Sequence, residues 1–354
     1  MFESCHQVIG VFADRDAVGG HTVEVRRACR SLGLRSEIYA LSVADGTQTD
    51  VRSVDDLPPD DGRTLLLYQA SALSPVADVV ATRREPLVVN YHNVTLPSFF
   101  EWWEPAIAQE LLDARRQIAS LASRAAAGIA DSQYNAAELA RMGCADVHVV
   151  PVLIDLDRVR AAAPDDRAPA GVGTRWLFVG RLCPNKAQHD VIKAFALHRR
   201  LFDPAATLAL VGRSSSHRYE TALRALVDDL DVGDAVRLVG SVDDDTLAAA
   251  YRTADVFVCL SEHEGFCNTV VEAMAARVPV VAYASSALPE TLGGGGLLLP
   301  DKDPLLVATA VQRVMSDRDL HDRVVRAGTR RLAALDLDAA RAELGRVLSR
   351  LVAA

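Results

Sequence analysis

Short apolar runs alternate with amphipathic stretches along almost the whole chain. In the first half the runs occupy residues 7–13, 36–41, 64–68, 87–91, 128–131 and 147–152. Helical patterns separate them, as at 22–32 and 104–123. Runs that are apolar at successive positions suit strands covered on both faces, as in a parallel sheet between helix layers. Strand-helix alternation of this kind predicts an open α/β sheet.

Residues 161–173, AAAPDDRAPAGVG, break the pattern. They are rich in Ala, Pro, Gly and Asp and carry no periodicity, which marks a linker. The alternation then restarts, with strands expected at 176–179, 207–211, 236–239, 256–260, 278–283 and 296–299. Helical stretches at 190–200, 244–253, 269–276 and 304–314 lie between them. The expected organisation is an N-terminal domain over 1–160, a linker over 161–173, and a C-terminal domain over 174–336. A final helix over 337–354 could pack back on the first domain. At 354 residues the chain exceeds the size at which one hydrophobic core stops growing.

Composition narrows the function. The net charge is −9 and no basic stripe is present, which argues against nucleic-acid partners. Six scattered cysteines form no CxxC pair, so zinc ribbons and thioredoxin-type sites are not expected. They read as reduced, buried thiols of a cytoplasmic protein. No signal segment opens the chain, and no apolar run approaches membrane-spanning length.

Open parallel sheets bind ligands at the C-terminal ends of their strands, so the strand-to-helix loops carry the candidate chemistry. After the strand at 176–179 comes Gly180-Arg181-Leu182-Cys183-Pro184-Asn185-Lys186. Two cations at a strand tip suit a diphosphate and the charge of a departing phosphate. A solvated turn with unrelated charges is the competing reading. After the strand at 256–260 comes Ser261-Glu262-His263-Glu264-Gly265-Phe266-Cys267-Asn268-Thr269, followed by a helix that contains Glu272. Gly265 allows close backbone approach, and the free N–H groups of a helix start suit an anion. Glu264 and Glu272 can accept hydrogen bonds from sugar hydroxyls. Alone, Glu264 reads equally as a loop acid and Glu272 as a dipole-complementing one.

Together these residues resemble the retaining family-4 glycosyltransferases of GT-B architecture. The matching segments are Val179-Gly180-Arg181-Leu182 with Lys186, Ser261, Glu264-Gly265-Phe266, Glu272-Ala273-Met274-Ala275, and Pro279-Val280-Val281-Ala282. The likeness continues through Ala287-Leu288-Pro289-Glu290-Thr291 and includes Gly240-Ser241-Val242 upstream. Weaker landmarks in the first half are Gly19-Gly20, His92-Asn93, Asp131-Ser132 and Pro151 with Asp155.

The resemblance implies two Rossmann-like α/β domains with parallel sheets facing a central cleft. It implies transfer of a sugar, with retention, from an α-linked nucleotide sugar to a hydroxyl-bearing acceptor. A UDP-sugar is favoured over a GDP-sugar. By the same likeness Arg181 and Lys186 bind the donor diphosphate, Glu272 holds the ribose, and Glu264 contacts the transferred sugar. Backbone near Val242 meets the base, and backbone over Gly265, Phe266, Cys267, Asn268 and Thr269 meets phosphate or sugar. His92 is expected to face the sugar, and Gly19 and Gly20 to approach the donor. No metal and no cofactor are required.

Three departures stand out: Ala187 after the lysine, Asn268-Thr269 in place of an apolar-Pro pair, and Arg277 before Val278-Pro279. Asn268 and Thr269 add polar groups where the donor sugar should lie. A GT-B epimerase, a sugar phosphorylase, or a non-catalytic nucleotide-sugar-binding subunit are the competing functions. The acceptor could be a soluble small molecule or a lipid-linked glycan. Residues 93–103, NVTLPSFFEWW, could wall an acceptor, touch a membrane surface at its inner face, or pack on the protein's own core. Oligomeric state is not encoded in any of these features.

Overall fold

The computed structural model describes residues 2–14, 16–161 and 173–353. The expected linker therefore lies almost wholly outside the described residues. The chain divides into two compact units.

The first unit comprises Met1–Pro97, Ala106–Asp155 and Leu335–Ala354. Its strands are β1 (Ser4–Phe12), β2 (Ile38–Val43), β3 (Arg52–Ser53), β4 (Thr64–Ala70), β5 (Leu87–Tyr91), β6 (Ala127–Ala130) and β7 (Val147–Val149). They form one parallel sheet in the order β3-β2-β1-β4-β5-β6-β7. Every residue of β4, β5 and β6 is buried, as successive apolar positions require of strands covered on both faces. β3 was not expected: it is two exposed residues at the sheet edge, too short to leave a pattern.

The helix Ala17–Ser31 follows β1 and begins before the glycines rather than at them. A Cβ on Gly19 would stand 1.9 Å from the Ala13 carbonyl oxygen, so only glycine lets this helix turn so tightly out of β1. Gly20 has open space around its missing Cβ and carries no such constraint. The last helix, Leu337–Ala353, belongs to this unit. Its Leu344, Val347 and Leu348 join Cys5, Val25, Cys29 and Leu67 in one buried cluster. Arg341 ties it to the Ala17–Ser31 helix through Glu24, with Nε donating at 2.9 Å.

The second unit comprises Ser98–Pro105 and Leu156–Ala334. Its strands are β8 (Arg175–Val179), β9 (Thr207–Val211), β10 (Val236–Gly240), β11 (Val256–Cys259), β12 (Val280–Tyr283) and β13 (Leu297–Leu299). They pair in parallel in the order β10-β9-β8-β11-β12-β13. The order reverses between β8 and β11, so the loops leaving these two neighbours diverge and open a crevice at their carboxyl ends. Both sequence-predicted loops leave there. Trp176, Phe178, Phe195 and Tyr219 fill the core beneath.

Residues 93–103 resolve largely as a packing element. Phe100 is buried, Trp103 lies edge-on to Tyr219 at 5.1 Å, and Phe99 lies 6.0 Å from the His263 ring. Ser216 Oγ donates to Glu104 at 2.9 Å. Trp102 alone is 90% exposed. No helix among the described residues is long and apolar enough to cross a membrane.

If the final helix is a structural part of the first unit, Leu348→Ala should cost about 2–5 kcal/mol, the range for emptying a buried leucine site. Hydrogen exchange should show the lost protection in β1 and β4 and not in β8 or β11.

Candidate active site

The loop after β8 turns at Gly180 and places Arg181 in solvent. The Arg181 guanidinium makes no hydrogen bond or ion pair to another described residue, while its carbonyl accepts from Gln188 Nε2 at 2.8 Å. A short turn, Pro184–Lys186, then leads through Ala187, at φ 50°, into the helix Gln188–Leu201. Ala187, one of the departures from the resemblance, thus holds a left-handed conformation that glycine adopts most readily.

Lys186 points across to the next strand's loop. Its Nζ lies 2.6 Å from both carboxylate oxygens of Glu264, and the two side chains are only 18% and 6% exposed. Burial alone would depress the ammonium, yet Glu264 beside it holds Lys186 well above the ordinary lysine value. The two residues assigned separately to diphosphate and sugar thus form one buried ion pair.

Residues that the sequence did not single out support this pair. Asn185 Nδ2 donates to the His263 carbonyl at 3.2 Å, and its own carbonyl accepts from Glu262 N at 2.8 Å. Lys302 Nζ reaches Glu262 and Asp190, each at 2.6 Å. Ser286 Oγ accepts from Glu264 N at 2.8 Å, and Thr291 Oγ1 donates to the Phe266 carbonyl at 2.6 Å. None of these contacts is local in sequence, so no spacing rule could have found them.

Cys267 stands just before the helix Asn268–Ala275 in a left-handed conformation, φ 78°. No side chain caps that helix, so its first N–H groups are available to an anion. Gly265, Asn268 and Thr269 are half-buried around it, and Phe266 is buried. Glu272 is the fifth residue of the helix, not a first-turn acid. Tyr251 Oη donates to its Oε2 at 2.7 Å. Burial pushes the Glu272 carboxyl up, and the Tyr251 hydrogen bond only partly offsets it. Val242 follows β10 and is half-buried.

His92 belongs to the first unit, after β5. Its side chain is 3% exposed. Nε2 lies 2.6 Å from Gln69 Oε1 and Nδ1 lies 3.1 Å from Asp131 Oδ2. The ring is therefore a member of a buried polar chain that continues through Gln69 to Asn90 and Gln7. Both nitrogens have protein partners in this structure. Arg181, Lys186, Glu264, Glu272 and the loop Gly265–Thr269 all belong to the second unit, and His92, Gly19 and Gly20 to the first.

Residues 169–331 match the family model described as glycosyl transferases group 1. The chain is 36% identical over 201 residues to the D-inositol 3-phosphate glycosyltransferase of Geodermatophilus obscurus, a match covering 52% of this chain and 43% of the relative. It is 34% identical over 192 residues to a GDP-mannose-dependent α-(1-6)-phosphatidylinositol monomannoside mannosyltransferase of Mycobacterium tuberculosis, covering 49% of this chain and 48% of the relative. The chain thus spans under half the length of both. Among solved structures, sucrose-phosphate synthase from Thermosynechococcus elongatus aligns over 99% of both chains, with a TM-score of 0.76 and 19% identity. Anabaena Alr3699/HepE, solved with UDP-glucose, aligns over 98% of this chain and 99% of its own, with a TM-score of 0.75 and 17% identity. These likenesses show the fold. The 169–331 segment, a little under half of the chain, matches the group 1 glycosyltransferase model, and the chain shares the GT-B fold of these solved structures.

Two outcomes follow. Lys186→Met should destabilise the chain by about 3–5 kcal/mol, because it strands the Glu264 carboxylate. Lys186→Met combined with Glu264→Gln should recover part of that loss in urea unfolding. The second concerns pH. A carboxyl whose folded value is raised contributes stability below its ordinary value and loses it as pH rises through the raised value. Relative to Glu272→Gln, the native chain should therefore lose melting temperature as pH climbs just above the ordinary carboxylate range. A pH-independent difference would contradict the burial of Glu272.

Proposed function

We propose that the chain transfers a sugar from an α-linked nucleoside diphosphate sugar to a hydroxyl-bearing acceptor, with retention of configuration. A UDP-sugar is the favoured donor and a GDP-sugar the alternative. The observation that carries this reading is the Lys186–Glu264 pair at the β8/β11 crevice, flanked by the exposed Arg181 and an uncapped helix N-terminus. A diphosphate offers anionic oxygens to Arg181, Lys186 and the helix N–H groups. As Lys186 turns to it, Glu264 is released to accept from sugar hydroxyls. Glu272, oriented by Tyr251, is placed to accept from the ribose.

In this reaction the bond from the anomeric carbon to the diphosphate oxygen breaks on the face where the acceptor oxygen attacks. The leaving diphosphate takes the acceptor proton. The protein supplies position and charge stabilisation rather than a dedicated base. Arg181, Lys186 and the helix N-terminus do the work that a metal ion does in other phosphate-leaving reactions, so no metal is needed. Relatives named for GDP-mannose and a neighbour solved with UDP-glucose both support a nucleoside diphosphate sugar as donor.

The test is a panel of UDP-, GDP- and TDP-sugars read by thermal shift, then by hydrolysis and transfer products. One donor class should raise the melting temperature by mass action, and its product should keep the α configuration. Activity should survive EDTA. Turnover of a UDP-sugar to its epimer without an acceptor would favour an epimerase. Dependence on free phosphate would favour a phosphorylase, and binding without any turnover a non-catalytic subunit.

A further inference from the structure

The loop after β11 carries two thiols that the proposed transfer leaves unused, beside the Glu264 carboxylate that it does use. Cys259 ends β11 and Cys267 precedes the helix Asn268–Ala275, and their Sγ atoms lie 4.0 Å apart. They are 1% and 9% exposed. One ligand atom each from Cys259, Cys267 and Glu264 falls within 4.8 Å of the others. Ser261 and Thr269 hydroxyls lie beside the sulfurs, at 3.4 and 3.5 Å.

At 4.0 Å the two sulfurs are in ordinary thiol contact, and that spacing is also one that a shared metal ion can use. A disulfide needs its sulfurs about 2.05 Å apart. Two thiolates on a tetrahedral zinc ion, each about 2.3 Å from the metal, stand about 3.8 Å apart. The observed separation is within a few tenths of an ångström of the second value and far from the first. Charge agrees. Two thiolates and the Glu264 carboxylate carry three negative charges, and Lys186 returns one positive. A divalent cation neutralises the remainder. Thiolate ligands select zinc-like ions over magnesium or calcium. Cys267 also holds a backbone conformation that is uncommon for any residue but glycine, φ 78°, while its sulfur stays on Cys259.

We propose that Cys259, Cys267 and Glu264 form a site for a thiophilic divalent cation, and that filling it draws Glu264 from Lys186 and blocks the donor. The first half stands on its own geometry; the second rests on the donor reading above. Binding replaces two S–H protons by two metal–sulfur bonds and releases both protons. Glu264 supplies the third ligand and solvent the fourth. The site is inhibitory, so a chelator that strips it raises activity or leaves it unchanged.

Cobalt(II) is the probe, titrated into the reduced chain. One equivalent should bind, with a thiolate-to-cobalt charge-transfer band that zinc displaces. The band should vanish in Cys267→Gly, a change its positive φ tolerates, and in Cys259→Ala. It should persist when Cys5 and Cys29, the other buried thiol pair, are both changed to Ala. Absence of the band, its survival in Cys267→Gly, or its loss with Cys5 and Cys29 overturns the site. The zinc-loaded chain is then compared with the metal-free chain for thermal shift by UDP-glucose and GDP-mannose. At least a tenfold loss of apparent affinity, restored by EDTA, is expected. An undiminished donor response to the zinc-loaded chain overturns the block. If the metal-free chain responds to no donor, the donor reading fails, while the cobalt band still decides the site.

Discussion

A buried ammonium must have a partner, and here its partner comes from the neighbouring strand's loop. Lys186 leaves β8 and Glu264 leaves β11, and each is too enclosed to stay ionised alone. Their pairing fixes the two loops against each other at the point where the strand order reverses. Asn185 repeats the tie through its side-chain amide and its backbone carbonyl, and Lys302 repeats it through Glu262 and Asp190. The two loops are therefore held together before any ligand arrives, and a diphosphate that takes Lys186 has to replace its contact with Glu264.

The sheets were legible because parallel strands buried on both faces leave continuous apolar runs. Among the described residues, twelve of the thirteen strands stand at such runs, and the exception, Arg52–Ser53, is an exposed edge with none. The last helix was expected to be able to pack back on the first domain, but the sequence could not show that Leu344 and Leu348 meet Cys5 and Val25. The aromatic stretch at 93–103 allowed three readings because composition cannot say what a ring touches. Contacts with Tyr219 and His263 favour packing for all but Trp102.

The site was legible as residue types but not as an arrangement. Motif spacing gave Arg181, Lys186, Glu264 and Glu272. It could not show that Lys186 and Glu264, 78 positions apart, are bonded to one another, since that depends on strand order. Tyr251 and Asn185 act through residues distant in sequence and carried no signal. His92 shows the converse: a residue prominent by motif is enclosed, with Gln69 and Asp131 on its two nitrogens. Glu264 emerges as the shared resource of the region. Lys186, the proposed sugar and the proposed cation all call on the same two oxygens, so what binds there is decided by competition for one carboxylate.

The chain has only three lysines, at 186, 193 and 302, which makes the central pair directly observable. With 15N-labelled lysine, the side-chain ammonium signals of the three can be followed while a nucleoside diphosphate sugar is added. The account predicts that Lys186 shifts strongly as it exchanges Glu264 for the diphosphate, while Lys193 and Lys302 move little. A donor that binds with the Lys186 signal unchanged would contradict it.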